Sequence, residues 1–563
     1  MKFNEFKYER ISLEEAKKNY EEKLAILKKA TNKEEFMLAF KDLNKFRGHL
    51  STMETICSIR HSIDTSDKFY EDEENYWDET SPLLQEYEVE LSNICLECPF
   101  KDELPIPEVF FKLAENSKKV FSKDIIEDLQ EENKLCSEYG KLKASAKIEF
   151  NGEIYNLASI APFSMSSDRQ IRKEAYAAAT KFYADNEDKF DDIYDRMVKV
   201  RDRIAKKLGY KTFTEVGYLR MNRLDYNEEM VGNYRKQVLD YVTPIASKIY
   251  ERQAKRIGLD KLKVYDMAYE FKTGNPRPCG DEKVLVEAAK KMYEEMSPET
   301  GEFFNKMVEY ELFDLTTKPN KEMGGYTTDM FDYKLPFIFS NFNGTQSDVD
   351  VLTHEAGHAF QSYLTMKEVD IPDICFPTLE SCEIHSMSME FFAHPWLNLF
   401  FGEDTKKYYY YHIASTLTFL PYGVLVDHFQ HEVYNHPEMS KEERKATWRK
   451  LEKQYIPDAD YEGFDILEKG GYFYRQGHIF ESPFYYIDYT LAQVCALEFY
   501  ARMLDKDENC WKDYVHLCKL GGTKSFVSLV KEAGLISPFE DGCLEKVAKA
   551  MENELNKYDV SNL

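Results

Sequence analysis

Two histidines four positions apart, His354 and His358, stand inside the apolar, helix-periodic stretch Val351–Tyr363, and nothing else in the chain restricts its fold as tightly. On an α-helix this spacing turns both imidazoles to one face, close enough to share an ion, with Glu355 beside them. Zinc favours imidazole nitrogen and tetrahedral geometry, and a catalytic site uses three protein ligands with the fourth position open. Two histidines are therefore an incomplete set, and the motif requires a third ligand elsewhere in the sequence. Ser347, with Asp350 three residues later, is expected to cap the start of this helix.

The segment Thr378–Phe392 supplies candidates: Glu380, Glu383, His385 and, further on, Glu390. They are interleaved with Met387, Met389, Phe391 and Phe392, and burying carboxylates in such company is costly unless a positive partner neutralises them. A metal ion is such a partner. The residues alone leave the choice among these ligands open.

The pattern His354-Glu-Ala-Gly-His358, followed 25 residues later by Glu383-Ile-His-Ser386 and seven residues after Glu383 by Glu390, resembles the thimet oligopeptidase and oligoendopeptidase F family. The resemblance implies that Glu383 is the third zinc ligand, that Glu390 orients a histidine, and that Glu355 is the general base. Near the other end, Arg475-Gln-Gly-His478 and Pro483-Phe-Tyr-Tyr-Ile-Asp-Tyr489 are similar to the family loop that presents a histidine and tyrosines to the reacting carbonyl. This implies catalytic roles for His478, Tyr486 and Tyr489, with Tyr485 as the alternative to Tyr486. The sharp motifs run from about residue 320 to 530, and the likeness thins to general helical character before about residue 160.

The fold implied by the resemblance is mostly α and zincin-like: two helical lobes around a deep substrate channel, with a small β-sheet beside the zinc-binding helix. Helix-start signals agree with a mostly helical chain. Ser12–Glu15, Thr31–Glu34 and Ser167–Gln170 have the capping-box form, and Ser81-Pro82 and Ser297-Pro298 place proline where a first helical turn tolerates it. Strands are expected in two places. Ala146–Phe150 and Glu153–Leu157 flank Asn151-Gly152 as a tight hairpin. Leu335–Asn343 reads as a strand whose Pro336 favours the sheet edge, and with Gly324-Gly325-Tyr326 it stands where the family has an edge strand that aligns substrate. A working division near residue 200 gives an N-terminal helical lobe, 1–200, and a catalytic region, 201–563.

Composition narrows the partners. A net charge of −27 disfavours phosphate backbones and anionic lipid surfaces. No apolar run approaches the roughly 18 residues of a membrane span, and the charged start Met1–Phe6 has no signal-like apolar core. The 11 cysteines show no spacing grammar, Cys95-Leu-Glu-Cys98 standing without a second pair, so reduced thiols in a cytoplasm are expected. His431-Glu-Val-Tyr-Asn-His436 imitates a second metal motif, but a spacing of five puts its histidines on different helical faces.

The implied activity is a cytoplasmic, zinc-dependent endopeptidase, one zinc per chain, that cleaves short unstructured oligopeptides and binds neither nucleic acid nor membrane. Two other readings compete: a zinc protease of broader reach, acting on larger or collagen-like substrates, and a helical peptide- or metal-binding protein without hydrolysis. The second would have no use for a general base such as Glu355. Oligomeric state and cleavage preference are not legible in the residues.

Overall fold

The structure is a computed structural model that describes residues 1–561 and 563, the side chain of Pro82 excepted. Its helices start where a side chain can satisfy the first free amide groups. Ser12 accepts from the Glu15 N–H, and Ser297 accepts from that of Thr300 with Pro298 next in line. Two expected caps shift by one residue. Asn32, not Thr31, accepts from Glu35, and Asp168, not Ser167, accepts from Gln170 and Ile171, because Asn and Asp carbonyl oxygens reach the first turn well. Helix Lys68–Leu96 runs without a break through positions 81 and 82, so no helix starts there.

The chain divides into two compact units, each assembled from three segments: Met1–Lys118, Arg277–Thr405 and Glu498–Leu535 in the first; Lys119–Pro276, Lys406–Leu497 and Ile536–Leu563 in the second. The division expected near residue 200 falls inside helix Glu187–Lys207 of the second unit. Local composition carries no record of which distant segments return to the same core. No described helix is long and apolar enough to cross a membrane, and among the described residues none of the 11 cysteines is in a disulfide.

In the first unit, β3 (Phe313–Thr316), β4 (Tyr326–Met330) and β5 (Leu335–Phe342) form a sheet of order β3-β5-β4, with β3 parallel and β4 antiparallel to β5. The proline-bearing strand is thus central, not at the edge. The reason lies in the pairing: Ile338 donates its N–H to Leu312 on the β3 side, so Pro336, two residues earlier, faces the same side before β3 has begun. No ladder bond is lost there. The edge position falls to β4. Because Phe337 and Phe339 turn their amides toward Thr328 and Tyr326, the main-chain groups of Thr327 and Asp329 point away from β5.

Helix Ser347–Glu368 packs on β4 and β5 and against helices Leu379–Phe392 and Cys510–Leu520, which explains why most of its side chains are buried. Its start differs from expectation. Gln346 holds the cap position without a side-chain bond, and Asp348 instead accepts from the amides of Asn343 (2.9 Å) and Gly344 (2.7 Å), tying the strand end to the helix.

The second unit contains the expected hairpin, β1 (Ile148–Phe150) and β2 (Glu153–Tyr155). Asn151 and Gly152 have φ of 51° and 83°, as a primed turn requires. Ile148 and Phe150 enclose a small core with Ile160 and Ala175. The unit's long helix Thr405–Asn435 absorbs the false metal motif: His431 is buried against the Tyr218 hydroxyl (2.8 Å) and Arg235 (3.0 Å), beside buried Asp427. His436 lies past the end of that helix.

Candidate active site

Helical periodicity sets the first part of the site. His354 and His358 project from one face of Ser347–Glu368, and Glu383 projects from Leu379–Phe392; one donor atom from each lies within 4.8 Å of the others. Glu383 Oε2 is 3.3 Å from His354 Nε2 and 3.6 Å from His358 Nε2. Ligands about 2.0–2.1 Å from a common zinc ion sit roughly 3.3–3.4 Å apart on a tetrahedron, so the donor types and the two carboxylate–imidazole distances fit a zinc site. Glu380 and His385, on the same helix as Glu383, are buried but outside this group.

The electrostatics point the same way. Burial opposes charge on His354, yet hydrogen bonds and charge from Glu383 and Glu390 outweigh it and raise its pKa well above the ordinary imidazole value. Burial likewise opposes charge on Glu383, and the two histidines reverse that, holding it ionised. The pocket is built around a positive charge, which a metal ion supplies as readily as a proton.

Surrounding groups hold two of the three donors, His354 and Glu383. Glu390 Oε1 lies 2.7 Å from His354 Nδ1, leaving Nε2 for the group's centre. Ser386 donates to Glu383 Oε2 at 3.1 Å, which gives the serine of the Glu383–Ser386 pattern a physical reason. Glu355 is buried, and its Oε2 accepts from the Thr327 hydroxyl at 2.7 Å. Thr327 was not singled out from the sequence; a threonine in a strand carries no local signal of what its hydroxyl meets.

Gly357 was also passed over. A Cβ there would lie 2.6 Å from Ser386 Cα and 2.7 Å from the His385 carbonyl oxygen, so only glycine lets the two helices that carry the grouped donors approach this closely. Gly357→Ala is expected to cost about 1–3 kcal/mol despite alanine's better helix propensity, because the obstructing atoms are backbone. A lowered Tm together with reduced zinc content checks this; an unchanged Tm would show that the helices part without cost.

In the second unit, His478 opens the short helix Gly477–Glu481 and its ring meets those of Tyr485 (5.7 Å), Tyr486 (4.9 Å) and Tyr489 (5.8 Å). The structure brings His478 together with all three tyrosines. Gln476, another residue the sequence did not mark, sets the imidazole tautomer: the Tyr422 hydroxyl donates to its Oε1 (2.8 Å), which turns its amide nitrogen to His478 Nδ1 (2.7 Å). The proton then resides on Nε2. Burial, with the nearby Lys143 charge, lowers the His478 pKa, so the ring is held neutral with one N–H to donate.

A mostly helical fold in which a His-Glu-x-x-His helix lies beside a small sheet and a second helix supplies a glutamate is that of a peptidase. The chain belongs to peptidase family M3: residues 163–549 match the model of that family, and residues 3–121 match the peptidase M3 N-terminal domain. The family therefore extends to the N-terminal helices, where the sequence shows only general helical character. The solved structure titled PZ peptidase A with inhibitor 2 is 52% identical, each chain covered in full, with a TM-score of 0.92. An oligoendopeptidase F homolog of Borreliella burgdorferi is 25% identical over 376 residues, 64% of this chain and 61% of that protein. Oligopeptidase PepF of Bacillus subtilis is 20% identical over 406 residues, 70% of this chain and 58% of that protein. The matched stretches thus span about three fifths of these two curated relatives.

Proposed function

We propose that the protein is a zinc-dependent endopeptidase that hydrolyses short, unstructured oligopeptides. The observation that carries this reading is the grouping of His354 Nε2, His358 Nε2 and Glu383 Oε2 beside a buried glutamate, Glu355, that follows the first ligand. These three residues would hold the ion. When bound, zinc contributes Lewis acidity, acidifying a water and polarising the scissile carbonyl.

The remaining steps belong to side chains of this chain. Glu355, fixed by Thr327, accepts the proton of the attacking water and delivers it to the amine nitrogen as the C–N bond breaks. His478 through Nε2–H, and Tyr486 and Tyr489 through their hydroxyls, are assigned as donors to the carbonyl oxygen as it gains negative charge. The meeting of their rings and the neutral, Nε2-protonated state of His478 support that role. The outward main-chain groups of Thr327 and Asp329 are assigned to pairing with an extended peptide, which gives affinity with little side-chain selectivity.

Incubation of zinc-loaded protein with a peptide of about ten residues, with products identified by mass, tests this reading. Internal cleavage that stops on chelation and returns with zinc is expected. A metal-loaded protein that binds the peptide and leaves it whole would instead be a binding protein.

A further inference from the structure

The segment joining His478 to Tyr486 passes through Phe484, whose φ of +70° is a conformation that bulky L-residues rarely adopt. Such strain persists only where the surroundings over-determine it, and such positions cluster at functional sites. Phe484 is fully buried, and two helices of the second unit, with the turn that follows one of them, hold it. Gln430, on helix Thr405–Asn435, accepts its N–H at 2.9 Å. Arg223 donates through Nη2 to its carbonyl oxygen. Its ring lies against Gly217 of helix Phe213–Arg220, where a Cβ would fall inside contact distance of two ring carbons.

Arg223 makes a second bond from the same nitrogen, to Asp488 Oδ1 at 3.0 Å. Both side chains are completely buried. Asp488 lies in the first turn of Tyr486–Leu504, the helix that also carries Tyr489. One guanidinium thus staples the strained loop to the start of the tyrosine-bearing helix.

We propose that Arg223 is a positioning residue: by clamping Phe484 and Asp488 it fixes the spacing between His478 and the tyrosines that donate to the reacting oxygen. This rests on the donor role assigned above to His478, Tyr486 and Tyr489. Hydrogen bonds that act only in the transition state are sensitive to placement, and a shift of about 1 Å costs about 100-fold in rate. Lysine in place of Arg223 keeps the charge but carries it on a compact ammonium at the end of a differently shaped stem, in place of the planar guanidinium whose Nη2 meets both acceptors.

The test uses full-length, zinc-loaded Arg223→Lys and Gly217→Ala. Gly217→Ala leaves the buried Arg223–Asp488 pair intact, and its methyl must displace the Phe484 ring, so it tests the placement of Phe484 independently if the Arg223 variant does not fold. For each, kcat and KM are measured on a quenched-fluorescent peptide, with the affinity for a phosphinic peptide that mimics the tetrahedral intermediate. A fall in kcat of about 100-fold at nearly constant KM and zinc content, matched by a similar loss of phosphinic-peptide affinity, is expected. Unchanged kcat and phosphinic affinity, with only Tm lowered, would reduce the clamp to a structural role and overturn the proposal. If His478→Asn and Tyr486→Phe themselves leave kcat unchanged, the donor assignment fails first and takes this proposal with it.

Discussion

Glu355→Gln is expected to lower kcat by about 10²–10⁴-fold while the protein keeps its zinc. Glutamine has the same shape and retains an oxygen that can accept from Thr327, so the buried side chain stays in place. What it loses is the capacity to take up the proton of an attacking water. Glu355 is not one of the three grouped donors, so metal content should be insensitive to the change. A quenched-fluorescent peptide assay beside metal analysis of both proteins measures the two effects separately. Equal cleavage by both proteins would exclude Glu355 as the base.

Removal of a donor should act in the opposite order, on metal first and on rate through it. Glu383→Ala leaves two imidazoles without the carboxylate that lies 3.3 and 3.6 Å from them, and zinc is expected to be lost on dialysis with activity falling below detection. Glu390→Gln, which changes the group bonded to the outer nitrogen of His354, should weaken zinc affinity by about 10–100-fold and recover activity in excess zinc. A ligand that binds only the folded state raises stability in proportion to the logarithm of its concentration. Added zinc should therefore raise the Tm of wild type and of Glu390→Gln but not of Glu383→Ala. A zinc-dependent Tm in Glu383→Ala would return Glu380 or His385 to consideration as ligand.

These contrasts follow from how the site is divided between neighbours in sequence and neighbours in space. The pairing of His354 with His358, and Glu355 beside them, was legible because four residues on a helix are also about one turn in space. The Asn151-Gly152 turn was legible for a similar reason, since its positive φ values are a property of those two residues. Caps were legible only to within a residue: Thr31 and Asn32, or Ser167 and Asp168, compete for the same amides, and the entry angle of the chain decides between them.

Pro336 shows where a sound local rule gives the wrong place. Proline removes one donor from one side of a strand, and whether that matters depends on where the neighbouring strand begins. Here β3 starts pairing at Ile338, so the strand could be central and β4 became the edge. The choice of Glu383 among four nearby candidates likewise came from a resemblance and not from the residues, because a helix with polar side chains on several faces does not announce which face meets its partner.

By itself, then, the sequence determined the elements whose cause lies within a turn or two of chain: the two histidines and glutamate on one helical face, the hairpin and the prevalence of helix. Only the tertiary structure decided that Thr327 would hold Glu355, that Gly357 would admit the second helix, that Tyr422 would turn Gln476 to set the tautomer of His478, and that Arg223 would reach Phe484 and Asp488 from more than 250 residues away. Such contacts join segments far apart in the chain, and their free energy exists only once packing has brought the segments together. No local pattern encodes them.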